Sequence, residues 1–204
     1  EFGQMGLAYP AAVDRQAGLD EAVALIRGVW SADGPFTFAG THHRAEGARV
    51  TPPLQPDGPP LVIAGAGDRT LRQVARLADA CNFGGGPAGK VDTPDQARER
   101  LAALRNTCAE TWRPYDDILK THFTHWVLLA PDEERARAKL RRYFADGVTP
   151  FWRDLLVWGT PESVARHFRG FVEAGIDYFV VQVVDPEDEE TVRLFATVVA
   201  PMVA

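Results

Sequence analysis

A chain of 204 residues, 46% hydrophobic and 25% charged, can bury one substantial core, so a single domain over residues 1–204 is the expectation. A net charge of −6 with scattered basic residues argues against a nucleic-acid binder, and neither a membrane-spanning apolar run nor a basic-then-apolar leader is present. Two cysteines, Cys81 and Cys108, make no disulfide framework and fit the reduced thiols of a soluble, cytoplasmic protein.

In chain order, Leu19, Val23, Ile26 and Trp30 recur at helical spacing, a first helix with no strand before it. Residues 31–58, rich in Gly, Pro and His, read as a long excursion with a short strand near Phe36–Phe38. Leu61–Ala64 is then a short apolar strand. Gly65 and Gly67 follow at its end, and a helix begins at once with Leu71, Val74, Ala75 and Ala78 on one face and Asp68 or Thr70 as its cap. That junction is where an α/β protein receives an anion: glycines let backbone N–H groups approach a ligand, and the positive helix end faces the same spot. The Gly-x-Gly pattern lacks the third glycine of a dinucleotide fingerprint, so the same stretch also reads as a tight turn with no ligand.

A second strand, Ala80–Phe83, runs into Gly84, Gly85 and Gly86, and a helix capped by Asp92 or Thr93 follows with Ala97, Leu101, Leu104 and Cys108 inward. The grammar repeats in the second half. Thr121–Ala130 contains the apolar run Trp126–Ala130, and Pro131 and Asp132 then start a helix with Ala136, Leu140 and Phe144 inward. Thr160, Pro161 and Glu162 mark a strong helix start, and Gly175 ends that helix. Ile176–Val184 is so nearly continuous in apolar character that it suggests a strand buried on both faces, as in a parallel sheet. A last helix carries Val192, Leu194, Phe195 and Val199.

Alternating strands and helices of this kind mean α/β, either a barrel or an open doubly wound sheet. Four strand-helix units plus a leading helix are half of what a (β/α)8 TIM barrel needs, since such barrels have eight units and typically about 250 residues. An open four-stranded parallel sheet with bare apolar edges would tend to associate.

The remaining polar and aromatic residues have structural readings beside functional ones. His42 and His43 in the excursion could reach over a barrel mouth and move a proton, or be ordinary loop residues. His122 and His125 flank a strand without the partners a zinc site requires, and no metal site is expected. His167 reads as surface or helix packing. Phe151, Trp152, Arg153 and Trp158 form either a substrate lid or a packing surface, and Trp112 reads as core or interface. The acidic run at residues 185–190 sits at a helix start, where the dipole favours negative charge.

Several motifs in register carry a resemblance. Gly18–Trp30 (GLDEAVALIRGVW), Phe38–His43 (FAGTHH), Pro52–Pro56 (PPLQP), Ala78–Asn82 (ADACN), the helix Ala97–Thr107, Gly159–Ala165 (GTPESVA) and Ala174–Phe179 (AGIDYF) together resemble the luciferase-like flavin or deazaflavin oxidoreductases. They are most similar to the F420-dependent branch. The resemblance covers almost the whole chain and implies a (β/α)8 barrel of which this chain is roughly the second half, an incomplete barrel lacking the early strands that shape the ring pocket. The run Ala64–Gly67 departs from the family's more glycine-rich turn.

By that resemblance the chemistry is hydride transfer between deazaflavin and a small organic substrate, with coenzyme F420 as cofactor and FMN-dependent monooxygenase chemistry as the alternative. A non-catalytic cofactor-binding or oligomerisation module is the reading from another class. The candidate cofactor residues are Gly65, Ala66, Gly67, Arg69 and Thr70 at the turn, with Asn82 and Gly84 ending the next strand on the same side. Arg69, with Arg72 and Lys90 nearby, is the candidate for the extra carboxylates of the F420 tail. Asn82 reads equally as a simple turn residue. A homodimer is expected of the full-length protein.

Overall fold

The computed structural model describes residues 2–50, 55, 58–84, 91–153 and 155–204. The expectations placed on Gly85, Gly86 and Lys90, and on the side chains of Phe151 and Trp152, lie outside the described residues. The chain divides into two compact units, Glu1–Leu61 and Val62–Ala204.

In the first unit the helix α1 (Ala12–Ser31) precedes an antiparallel hairpin of β1 (Phe36–Ala39) and β2 (Arg44–Ala48). β1 is the short strand expected near Phe36. β2 has no counterpart in the sequence reading, because RAEGA shows no apolar alternation strong enough to mark it. Glu21 of α1 ties down the hairpin turn, its carboxylate accepting from the N–H groups of Thr41, His42 and His43 at 2.7–2.9 Å.

The second unit holds a five-stranded parallel sheet: β3 (Val62–Ala64), β4 (Ala80–Gly84), β5 (Leu119–Leu129), β6 (Val157–Gly159) and β7 (Tyr178–Val183). The helices α2 (Asp68–Leu77), α3 (Pro94–Glu110), α4 (Glu133–Tyr143), α5 (Pro150–Arg153), α6 (Pro161–Ala174), α7 (Glu189–Leu194) and α8 (Ala200–Val203) connect or follow them, with a π-turn at Phe195–Val199 leading into α8. β5 organises the sheet. Its first half lies between β4 and β7, and after an irregularity between Thr124 and Val127 it pairs with β6 where β4 has ended. The sequence reading has four strands here, and β6 is the fifth. Three residues in an aromatic stretch show no period, and β6 exists because β5 runs on past β4 and offers it an edge.

The sheet has two unlike faces. Ile63, Cys81, Phe83 and His122 are buried under the helices, and the His122 ring lies 4.3 Å from that of Phe171 on α6. On the same side, Phe179 and Val181 of β7 join a core of Val127, Leu129, Val164, Ala165, Phe168, Leu194 and Val199. The register puts Val62, Leu119, Tyr178 and Val180 on the opposite face, each 44–56% exposed. β7 is therefore buried on one face only, which corrects the expectation of two. Its apolar outward residues had concealed the alternation.

Candidate active site

Building the site starts at the end of β3. Gly65 has φ +133°, a conformation L side chains rarely adopt, and a Cβ there would come within 3.1 Å of the Thr70 methyl. Its N–H donates to the main-chain oxygen of Asn82 at 3.0 Å, which ties the turn to the C-terminal end of β4. The Gly65 N–H is thereby engaged within the protein, so the donors for a ligand are those that follow it. Gly67 is the N-cap of α2, in extended conformation, and a Cβ there would meet nothing within 4 Å. The Leu71 N–H bonds to Gly67 O at 2.9 Å, so the N–H groups of Asp68, Arg69 and Thr70 lie at the open first turn.

Among the described residues no side chain caps α2. Neither Asp68 nor Thr70 takes the capping role expected of them: Asp68 pairs with Arg100 at 3.3 Å, and the Thr70 methyl packs beside Gly65. By contrast α3, α4, α6 and α7 begin on Thr93, Asp132, Thr160 and Asp188, whose side chains accept from Gln96, Arg135, Ser163 and Thr191 N–H. The end of α2 is thus left with orphan donors beside a turn without side-chain bulk, the arrangement that accepts an anion.

Ala66 is buried, Arg69 is exposed, and Gly84 is half-buried with Phe123 O at 3.3 Å from where its Cβ would be. Asn82 stands on the open sheet face in register with Ala64 and Thr121, and its side chain is bonded to the Thr121 hydroxyl at 2.8 Å. The structure therefore brings Gly65, Thr70 and Asn82 together around one corner, with Gly84 one turn of the pleat further along β4. Sequence reasoning missed Arg100. It reaches from α3 to Ala66 O at 3.4 Å and to Asp68, and nothing local could reveal it because α2 and α3 meet only in the folded sheet.

The other polar and aromatic residues lie elsewhere in the fold. His122 is buried and uses both ring nitrogens, bonding to Thr124 Oγ1 at 2.9 Å and Val91 O at 2.8 Å. Burial, against the Val91 bond, holds its pKa below the ordinary histidine value. Burial, aided by the nearby His122, lowers that of His167 to about 4. His42 and His43 sit in the first unit on the hairpin turn. Trp112 is 93% exposed with φ +56°, so it is not core: it follows the end of α3 on a left-handed residue that turns it outward. Trp158 lies under the Arg137 guanidinium at 5.8 Å. The acidic run is consumed in packing: Asp188 caps α7 and pairs with Lys139 at 2.8 Å, and Asp185 accepts from Tyr143 at 2.7 Å. Cys81 and Cys108 are free and buried. Among the described residues no cluster of His, Cys, Asp or Glu fits a metal ion, and no helix is long and apolar enough to cross a membrane.

A family model for luciferase-like monooxygenases matches residues 1–151. The chain belongs to the luciferase-like monooxygenase family. One relative, an F420-dependent glucose-6-phosphate dehydrogenase of Kribbella flavida, is 30% identical over 99% of the chain and 65% of its own length. A solved F420-dependent secondary alcohol dehydrogenase, in complex with an F420-acetone adduct, superposes with TM-score 0.76 at 20% identity, covering all of this chain and 66% of that one. The coenzyme F420-dependent tetrahydromethanopterin reductase of Methanopyrus kandleri superposes with TM-score 0.75 at 16% identity, covering all of this chain and 71% of that structure. The chain thus spans about 65% of the length of the Kribbella relative, and its α/β fold with a parallel sheet is shared with both solved structures.

Proposed function

We propose that this chain is part of an F420-dependent oxidoreductase, in which it holds the phosphate-bearing tail of the deazaflavin at the Gly65–Thr70 turn. The observation that carries the reading is the open start of α2, uncapped where α3, α4, α6 and α7 are all capped. Gly67 leaves room for an anion to approach, and the N–H groups of Asp68, Arg69 and Thr70 would donate to it in line with the helix dipole. Ala66 and Gly65 shape the turn. Arg69 would offer a cation from the first turn of α2, while Asn82 and Gly84 would line the cleft beside it.

When bound, F420 supplies hydride transfer to or from a small organic substrate. The chain's own residues bind and orient it. We infer in addition that the exposed apolar face bearing Val62, Leu119, Tyr178 and Val180 is the inside of a (β/α)8 barrel of which the second unit is the later part. The sheet's parallel order, the exposure of these four side chains and the likeness to longer solved structures support this.

Titrating the purified protein with F420 and with FMN, each followed by cofactor fluorescence, tests the assignment. F420 should bind the more tightly, and Arg69→Ala should weaken F420 more than FMN, by about 1–2 kcal/mol for a lost charge-assisted bond. Tighter binding of FMN would overturn the choice of cofactor. Binding of neither would overturn the reading of the turn.

A further inference from the structure

Asn82 is on the uncovered sheet face at the C-terminal end of β4, and the only described partner of its carboxamide is Thr121 on the next strand. The Thr121 Oγ1 lies 2.8 Å from Asn82 Oδ1 and 2.9 Å from Cys81 O. A hydroxyl has one hydrogen and two lone pairs, so Thr121 either donates to Asn82 Oδ1 or donates to Cys81 O while accepting from the Asn82 amide, and both arrangements tie the carboxamide to β5. In either arrangement one side of the carboxamide is held by Thr121 and the other side has no described partner.

Thr121 is itself fixed. It is 4% exposed, in mid-sheet between Asn82 on β4 and Tyr178 on β7, where close packing and β-branching limit its rotamers. The main chain of Asn82 is fixed as well, because its oxygen receives the N–H of Gly65 from the candidate anion turn. An unsupported asparagine at a strand end would rotate among several orientations and spend binding energy on losing them. Here that cost has been met in folding.

We infer that Thr121 is a positioning residue. Its hydroxyl anchors one side of the Asn82 carboxamide, so that the other side is held as a fixed polar contact for the cofactor. This deepens the proposal above and rests on Asn82 belonging to that site.

The test is a double-mutant cycle read as F420 affinity by fluorescence titration of the purified protein, with circular dichroism as the folding control. Asn82→Ala, Thr121→Val and the double variant are compared, and Thr121→Ser restores the hydroxyl. Thr121→Val keeps the shape and β-branching of threonine, so it suits a strand. It should weaken F420 by roughly two- to tenfold, the range of one hydrogen bond. Thr121→Ser should recover most of that loss, and Thr121→Val should cost nothing further once Asn82 is alanine. An equal effect of Thr121→Val with or without Asn82 would show a merely structural role, and full affinity in folded Thr121→Val while Asn82→Ala is weakened would overturn the inference alone. Unchanged affinity in Asn82→Ala would instead remove Asn82 from the site, and the inference with it.

Discussion

The two glycines of the turn do different work, and this separates folding from binding at single positions. Gly65 is required by its own backbone: φ +133° and the Thr70 methyl at 3.1 Å mean that Gly65→Ala should cost about 1–3 kcal/mol of stability. Gly67 has ordinary extended dihedrals and open space around it, so Gly67→Val should cost only about 1 kcal/mol as a poorer N-cap. Its effect should appear in the ligand instead, as a loss of F420 affinity of roughly 10–100-fold if one charge-assisted N–H bond is blocked. Chemical denaturation and cofactor titration of both variants check the contrast; a folded Gly67→Val protein with full affinity would reduce the turn to simple chain geometry. That the glycines matter was legible in the sequence, since a strand followed at once by Gly-x-Gly and a helix has few physical meanings. Which of them is conformational and which is clearance was not, because that depends on φ and on what lies above each Cα. Arg100 escaped for a related reason, being 34 positions from the oxygen it approaches.

At the scale of elements, helix starts were the most legible feature because capping is local. Thr93 with Gln96, Thr160 with Pro161, and Asp132 each carry their signal within four residues, and the structure uses all three. The short strands were not legible, since β6 is defined by a partner about thirty residues back on β5. The same distinction holds for stabilising networks. Asp188 caps α7, but it also meets Lys139 of α4, whose Nζ donates to Leu129 O at 2.8 Å and so joins α4, β5 and α7. Asp188→Ala removes cap and counter-ion together and should lower unfolding free energy by about 2–4 kcal/mol, measured in urea. Burial raises the Asp188 pKa, but Lys139 and Thr191 outweigh it and hold the carboxyl below its ordinary value, so this contribution is present above that value and fades as pH falls through the depressed one. His167 acts at higher pH. Its folded pKa of about 4 lies below the ordinary 6.5, so between those values the unfolded chain takes up a proton that the folded one refuses. Its full contribution is therefore present above about pH 6.5, and by pH 5 about 2 kcal/mol should be lost. His167→Phe should flatten that loss; a urea midpoint that still falls as steeply between pH 7.5 and 5 would assign the acid sensitivity to His122 or elsewhere.

For the whole molecule, the decisive contrast is between the two sides of the sheet. Under the helices the second unit has a closed core, with Phe83, Phe168 and Phe171 all but inaccessible. Across the same strands, Val62, Leu119, Tyr178 and Val180 stand about half exposed, on the same face as Asn82 and the end of β4, which present the candidate site. Burying four such side chains is worth several kcal/mol at about 25 cal/mol per Å² of apolar surface, so this face should bind an apolar probe dye or drive association of the isolated 204-residue chain. The same exposure bears on catalysis. A tail held at the Gly65–Thr70 turn needs only backbone donors and a helix end, which the second unit contains in full. Hydride transfer needs more, because ring and substrate must be aligned and kept from bulk water, and an open sheet face with polar residues on one corner supplies neither. Binding and turnover should therefore part company in these 204 residues: F420 should be retained through its tail while steady-state turnover stays far below the roughly 1–1,000 s⁻¹ of intact enzymes. Parallel binding and initial-rate measurements on the same preparation check this. Turnover in that range would mean that the site is complete within Glu1–Ala204, and that the exposed face serves a purpose other than the inside of a barrel.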